Sequence, residues 1–403
     1  MAKTVVIVGA LDTKGKDFAF IKERIEKEGL STLVVDYGVM GQPAFEAQVG
    51  RAEVARAGGG DLAHLAGGQR KDEAMKTMAA GLAVVVRQLY DEGRLDGIIG
   101  MGGSGGTSIA TAGMRALPVG VPKLMVSTVG GGDVSAYAGT KDITFMPSIV
   151  DVAGLNRLSL AIYTNAAGAI AGMVKQTRAA AVEEKPIVVA SMFGNTTQCV
   201  DQAKAVMEGR GYEVLVFHAT GTGGKTMESL IADGYAVASM DITTTELADE
   251  VCGGVFSAGP ERCLAASRAG IPAVLVPGCV DMANFGALNT VPEKYKNRLL
   301  YQWNPNVTLL RTNVAENVKM GEMLAAAANA ASAPVAVVIP LGGVSMLDSE
   351  DGQFWDPLAD HACFDVIRQH LRSGIPYLEM DNNINDPAFS DKVAETLLAM
   401  LKR

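Results

Sequence analysis

The stretch Gly100-Met101-Gly102-Gly103-Ser104-Gly105-Gly106-Thr107-Ser108 limits what this chain can fold into more than any other part of it. An apolar run containing Ile98 and Ile99 leads into it, and a small-residue run from Ile109 to Leu117 leads out. That order reads as strand, glycine turn, helix. Such a bend leaves several backbone N–H groups pointing at one spot, and the helix dipole adds partial positive charge there. Glycine lets an anion approach with no Cβ in the way, and the hydroxyls of Ser104, Thr107 and Ser108 are further donors. Two readings follow. The stretch is a phosphate cradle built on Gly102, Gly103, Ser104, Gly105, Gly106 and Thr107, or a turn that only lets strand and helix pack closely.

At 403 residues the chain exceeds one ordinary core, so two or three domains are expected. A 48% apolar content supports buried α/β cores rather than disorder. The net charge is −9 and no long Lys or Arg run occurs, which argues against nucleic acid and anionic membrane as primary partners. The cysteines (Cys199, Cys252, Cys263, Cys279, Cys363) are odd in number and form no C-x-x-C pair. A disulfide framework is not expected and a reducing cytoplasm fits. The histidines are scattered, so no zinc-type cluster is expected. The first strand is expected to begin at Thr4, which leaves no room for a signal peptide. The uncharged run Leu324 to Leu347 is broken by Asn, Pro and Gly, and reads as a helix end and a buried strand rather than a membrane span.

The chain opens with a strand at Val5 to Val8, a turn at Gly9 to Gly15, a helix from Asp17 to Lys27 and a second strand at Thr32 to Val35 closed by Asp36. This is the start of a nucleotide-binding half. The turn is not G-x-G-x-x-G, so no dinucleotide is expected. Lys14 at a helix start suits a phosphate. Asp12 suits a water-held magnesium or a helix N-cap, and Asp36 suits a ribose hydroxyl. Residues 40 to 70 read as a long loop. Arg70 and Lys71 at the start of the helix from Asp72 to Tyr90 are either an anion contact or a solvated charge pair. A second glycine loop, Gly130-Gly131-Gly132, follows the strand Lys123 to Ser127. A helix of small residues is expected from Leu155 to Lys175.

Composition shifts near Thr177 to Lys185, which places the domain boundary there. The expected domains are 1–180 and 186–403. The second half repeats the opening logic from Ile187. Its segment His218-Ala219-Thr220-Gly221-Thr222-Gly223-Gly224-Lys225-Thr226 nearly satisfies G-x-x-x-x-G-K-[ST]. Ala219 stands where the first glycine belongs, so the loop is a P-loop variant or a polar substrate loop. The stretch Asp241-Ile242-Thr243-Thr244-Thr245-Glu246 follows another strand, as a site for a polyol or carboxylate, or as a capping box. Pro277-Gly278-Cys279-Val280-Asp281-Met282 follows a further strand. Cys279 reads as a small buried hydrophobe, and Asp281 and Asn284 as substrate contacts.

Taken with the opening Asp12-Thr13-Lys14, these motifs resemble in matching order the Tm-one-like ATP-binding-domain family, over essentially all of the chain. That family contains bacterial members and the amino-terminal half of a plant tobamovirus-resistance protein. The resemblance implies two Rossmann-like α/β domains, each a mostly parallel sheet flanked by helices, with ATP and Mg2+ in the first. It places nucleotide contacts on Asp12, Thr13, Lys14, Asp36, Arg70 or Lys71, and Gly102 to Thr107. Together with the small-residue helix it implies a homodimer. The resulting expectation is a soluble cytoplasmic ATP-binding protein, an ATP-dependent enzyme for a small polar acid or sugar-derived metabolite at an interdomain cleft. His218, Asp241, Glu246 and Asp281 would be its catalytic residues. The alternative is a nucleotide-gated regulatory protein without turnover.

Overall fold

Val5 and Ile7 pack into one helical layer while Val6 and Val8 pack into the other, because successive strand side chains alternate between faces. Runs apolar on both faces belong in the middle of a parallel sheet covered on both sides, and that is the architecture found. The computed structural model describes residues 3–66, 71–176 and 184–401. The chain divides into two compact units, Met1–Ala181 and Val182–Arg403.

The first unit runs β1 (Thr4–Gly9), α1 (Leu11–Lys27), β2 (Ser31–Asp36), α2 (Arg51–Ala57), α3 (Leu62–Leu65), α4 (Lys71–Asp91), β3 (Gly97–Gly102), α5 (Ser104–Arg115), β4 (Lys123–Ser127), α6 (Ser135–Ala138), β5 (Thr144–Pro147) and α7 (Arg157–Lys175). Its sheet is parallel in the order β2-β1-β3-β4-β5. That is a doubly wound sheet whose order reverses between β1 and β3. The helices α1 and α7 cover the Val5 face, and α2, α4 and α5 cover the Val6 face. Each large apolar side chain fully buried in these layers, such as Phe18 or Ile21, contributes roughly 1.5–3 kcal/mol.

Two local expectations are corrected. Over its described part, 40–66, the expected 40–70 loop is not structureless, because α2 forms there and packs its backbone on α4. A Cβ at Gly58 would stand 2.0 Å from the Thr77 carbonyl oxygen, and one at Gly81 would stand 1.9 Å from that of Val54. Gly58 and Gly81 are thus helix–helix contact points. Likewise Gly100–Gly102 end β3 rather than open a turn, so the bend begins only at Gly103.

The second unit runs β6 (Ile187–Met192), α8 (Thr197–Glu208), β7 (Glu213–His218), α9 (Thr222–Ala232), β8 (Ala236–Thr243), α10 (Thr245–Cys252), α11 (Ala265–Ala269), β9 (Ala273–Gly278), β10 (Met282–Phe285), β11 (Leu300–Asn304), β12 (Val307–Arg311), α12 (Val314–Asn329), β13 (Val335–Pro340), α13 (Pro357–His370), β14 (Tyr377–Met380) and α14 (Pro387–Leu401). Its six-stranded sheet is parallel in the order β14-β13-β9-β8-β6-β7, so the reversal falls between β6 and β8. β12 is not in that sheet. It belongs to a small antiparallel sheet, β10-β12-β11, inserted after β9. Among the described residues no helix is long and apolar enough to cross a membrane.

Candidate functional site

In the first unit, the turns after β1, β2 and β3 and the start of α4 enclose a cavity of about 540 Å³ at the strand-order reversal. In open α/β sheets this carboxyl-edge crevice is where ligands bind. Its polar wall carries Asp12, Thr13, Lys14, Lys71 and the bend Gly103 to Gly106. Its apolar wall carries Val39, Leu65, Met75, Met78, Met101 and Ile109.

The bend is open. Gly103 caps α5 without a side-chain hydrogen bond, and the first helical bond runs from Thr107 N–H to Gly103 O at 2.8 Å. Among the described residues no acceptor meets the N–H groups of Ser104, Gly105 and Gly106. A Cβ on Gly105 would find only the Met75 methyl at 3.6 Å and Sδ at 3.9 Å, so it would project against the cavity wall rather than into backbone. Glycine there is not demanded by the chain's own geometry. The buried Tyr37 hydroxyl donates to Gly106 O at 3.3 Å and steadies the bend from below.

Asp12, in the first turn of α1, is held in place by the loop after β2. Its Oδ2 accepts from the N–H groups of Met40 at 2.6 Å and Gly41 at 3.1 Å. Its Oδ1 is buried and has no partner among the described residues. Thr13 is exposed on the rim. Lys14 lines the cavity, but its ammonium donates to Val152 O. Lys71, exposed, begins α4 and faces the cavity, while Arg70 lies outside the described residues.

Three expected contacts do not reach the cavity wall. Asp36 is 2% exposed, and its Oδ1 accepts from Leu11 N–H at 3.1 Å and Gly38 N–H at 2.8 Å. Burial lifts its carboxyl above the usual range, and those two amides partly offset this. It fastens two turns together rather than meeting a ribose. Thr107 is buried with its hydroxyl 2.6 Å from Ser127 Oγ. Gly102 is the last residue of β3. The loop after β4 closes on itself through Gly130 N–H to Ser127 O and Gly132 N–H to Val129 O.

The second unit differs. The P-loop-like bend His218 to Thr226 already holds an anion, and the anion is the carboxylate of Glu246. Glu246 Oε1 accepts from Gly221 N–H at 2.7 Å and Gly224 N–H at 3.0 Å. A Cβ on Gly224 would strike Glu246 Oε2 at 2.1 Å. The bend is therefore closed to phosphate. Glu246 Oε2 accepts from Arg262 Nε at 2.6 Å, and Arg262 Nη1 lies 2.6 Å from Asp241 and 3.1 Å from Glu228. Burial works against the Arg262 charge, but Asp241, Glu246 and Glu228 more than offset it and hold the guanidinium above its ordinary range. Asp241 and Glu246 thus form a buried ion cluster, not an exposed catalytic pair. Thr243 meets Thr196 Oγ1 at 2.6 Å and Thr244 bonds Val276 O, so neither the substrate reading nor the capping box applies.

Asp281 is also buried, with Oδ2 accepting from Ser345 Oγ at 2.8 Å. Around it stand Asp348 and Asp360, with Arg311 2.7 Å from Asp360 and 3.5 Å from Asp348. Three buried carboxyls share one cation. Burial, aided by Asp348, pushes Asp281 up to about 7. Burial, again with Asp348, pushes Asp360 up to about 8 against the pull of Arg311. Asp348 is raised by burial too, with Arg311 opposing. Of the residues expected to be catalytic, His218 is exposed, its ring stacked on Phe193 at 5.3 Å. Asn284, expected as a substrate contact, is buried and donates to Asp249 at 2.7 Å. Cys279 is buried, with its thiol driven far up by desolvation.

The raised carboxyls fix a pH dependence. Below about pH 4 the cluster is protonated in both folded and unfolded chains. Between there and about pH 8 the unfolded chain has released protons that the folded cluster keeps, so stability falls as pH rises. Both tryptophans, Trp303 and Trp355, lie in the second unit, so their fluorescence reports its unfolding alone. Urea midpoints should drop steadily from pH 5.5 to 8.5, and Asp360→Asn should flatten that slope. A midpoint that rises with pH would contradict the assignment.

Together, these features describe a two-unit, doubly wound α/β protein with an open anion-ready bend in its first unit. The chain belongs to the uncharacterised protein family UPF0261, whose amino-terminal domain matches residues 3–179 and whose carboxyl-terminal domain matches residues 185–401. A UPF0261 protein of Clostridium tetani is 47% identical over 404 residues, covering 100% of both chains. The tomato ToMV resistance protein Tm-1(GCR237) is 39% identical over 337 residues, 81% of this chain but only 44% of its own length. A solved UDP-N-acetylglucosamine 2-epimerase from Rickettsia bellii covers 68% of this chain and 79% of its own at 9% identity and a TM-score of 0.25, too weak to argue from.

Proposed function

We propose that the first unit binds ATP with Mg2+ in the β1/β3 crevice. The reading rests on one observation, the three unmet N–H groups of Ser104, Gly105 and Gly106 facing a cavity of nucleotide size. The methionine-rich wall suits a flat purine, being soft and adaptable. Lys14 and Lys71 supply positive charge. The buried, unpartnered Asp12 Oδ1 suits a hard cation, directly or through water. No group of three His, Cys, Asp or Glu side chains that could hold a metal occurs among the described residues, so Mg2+ would arrive with the phosphates and neutralise their charge.

Within that reading, the protein is an ATP-dependent enzyme for a small polar acid or sugar-derived metabolite, working as a cytoplasmic homodimer. The second reading, a nucleotide-gated regulator without turnover, is favoured by the burial of Asp241, Glu246 and Asp281 in ion clusters. Incubating the full chain with ATP, Mg2+ and a metabolite library separates them. Phosphate or pyrophosphate release stimulated by one metabolite supports the enzyme. Tight ATP binding with no release under any mixture supports the regulator, and failure to bind ATP removes both.

A further inference from the structure

The segment from Ser148 to Asn156 links β5, at the far edge of the first sheet, to α7, which packs beside α1. Val152 anchors it by burying its side chain beside Leu11, Phe18 and Tyr163. On one side of that anchor the strap carries Ile149, a β-branched residue at φ 63° and 75% exposed. The turn around Ile149 is closed by Val150 N–H to Ser148 O at 2.6 Å. A β-branched side chain in the left-handed region is strained, and the buried Ser148 holds the turn in that shape by donating its hydroxyl to Val150 O at 2.6 Å. The strap is tied at its ends by Ser148 N–H to Ser127 O and Ser159 Oγ–H to Gly154 O, and in its middle the Val152 carbonyl, beside the buried side-chain anchor, accepts from Lys14 Nζ.

Lys14 is itself irregular. At φ −128° and ψ 19° it breaks the helical path of α1 just after the first turn. It lines the cavity, yet its ammonium is spent on the strap rather than on the space where a phosphate would sit. A phosphate oxygen is a stronger acceptor for an ammonium than a neutral carbonyl, since it carries a full negative charge opposite the cation. The two acceptors therefore compete for one cation.

We propose that Lys14 is a phosphate-sensing latch: the terminal phosphate of a nucleotide in the cavity takes its ammonium from the Val152 carbonyl and releases the Ser148–Asn156 strap. This rests on the nucleotide reading of the crevice and adds its regulation. The strained Ile149 turn is the element that relaxes on release. Exposed Ile149, Leu155 and Leu158 ride on or beside the strap, so its release changes the surface the first unit presents. Because the coupling is reciprocal, anything that pins the strap weakens nucleotide binding.

Hydrogen–deuterium exchange of the full chain, read on peptides covering 148–158, tests this alongside calorimetry with ATP and Mg2+. In the unsubstituted protein ATP should speed strap exchange by ~5-fold or more. In Lys14→Met the strap should exchange at that faster rate with no nucleotide added, and ATP should change it no further. Lys14→Arg, which keeps a cation, should restore slow exchange in the nucleotide-free protein. Heat of ATP binding with no change, or a slowing, in the strap overturns the latch. So does a Lys14→Met strap that exchanges like the unsubstituted one. Absence of any ATP heat defeats the nucleotide reading instead, and the nucleotide-free comparison of Lys14→Met with the unsubstituted chain still decides whether Lys14 holds the strap.

Discussion

Gly105→Val will bind ATP at least ~100-fold more weakly than the unsubstituted protein while unfolding at nearly the same temperature. The backbone at Gly105 is ordinary helix start, and its added Cβ meets only the Met75 side chain at van der Waals distance. The branched side chain therefore has somewhere to go, and that place is cavity space beside Met75 that a bound nucleotide needs. Hydrogen bonds to a charged group are worth about 1.5–3 kcal/mol each, so displacing an anion from two N–H groups costs roughly a hundredfold or more in affinity. Valine also loses less backbone freedom than glycine on folding, which guards the fold. Calorimetry gives the affinity and a thermal scan gives the stability. A Gly105→Val protein with unshifted melting and unshifted ATP affinity would show that the bend grips nothing.

Arg262→Met will destabilise the second unit by about 3–5 kcal/mol, the range found when one partner of a buried ion pair is removed. Glu246, Asp241 and Glu228 would keep their burial and lose their cation. Glu246 would still hold two amides of the 218–226 bend, but its second oxygen would face none. Against a typical total of about 5–15 kcal/mol this is a large share. The tryptophan fluorescence transition in urea should move to much lower denaturant, and Glu246→Gln added to Arg262→Met should recover part of the loss. Equal midpoints for Arg262→Met and the unsubstituted chain would mean that the cluster is solvated and free to do chemistry after all.

Both predictions turn on the same contrast, which the sequence only half disclosed. Strand-length apolar runs followed by glycine turns made the two parallel sheets legible, because a run buried on both faces has few other homes. The crevice was legible through Asp12, Lys14 and Ser104, which sit beside successive strand ends. Its apolar wall was not. Met75 and Met78 lie three residues apart on α4, and helical spacing alone does not tell a cavity wall from core. The second bend was misread because its partner is distant. Gly221 and Gly224 look like phosphate ligands until Glu246, on another helix, fills them, and no local pattern announces that pairing. Arg262 and Arg311 were missed for the same reason, each lying among carboxylates drawn from several elements. The long segment after β2 hid α2, since Gly58, which ends that helix in a turn, also serves close packing against α4.

The most direct test is electron density from crystals of the full chain grown with a non-hydrolysable ATP analogue and Mg2+. The account predicts a phosphate within hydrogen-bond distance of the Ser104, Gly105 and Gly106 amides, with the base against Met75 and Met78. Density for the analogue at the Gly221 to Gly224 bend, or none in the β1/β3 crevice with those amides turned to carbonyls of the chain, would contradict it.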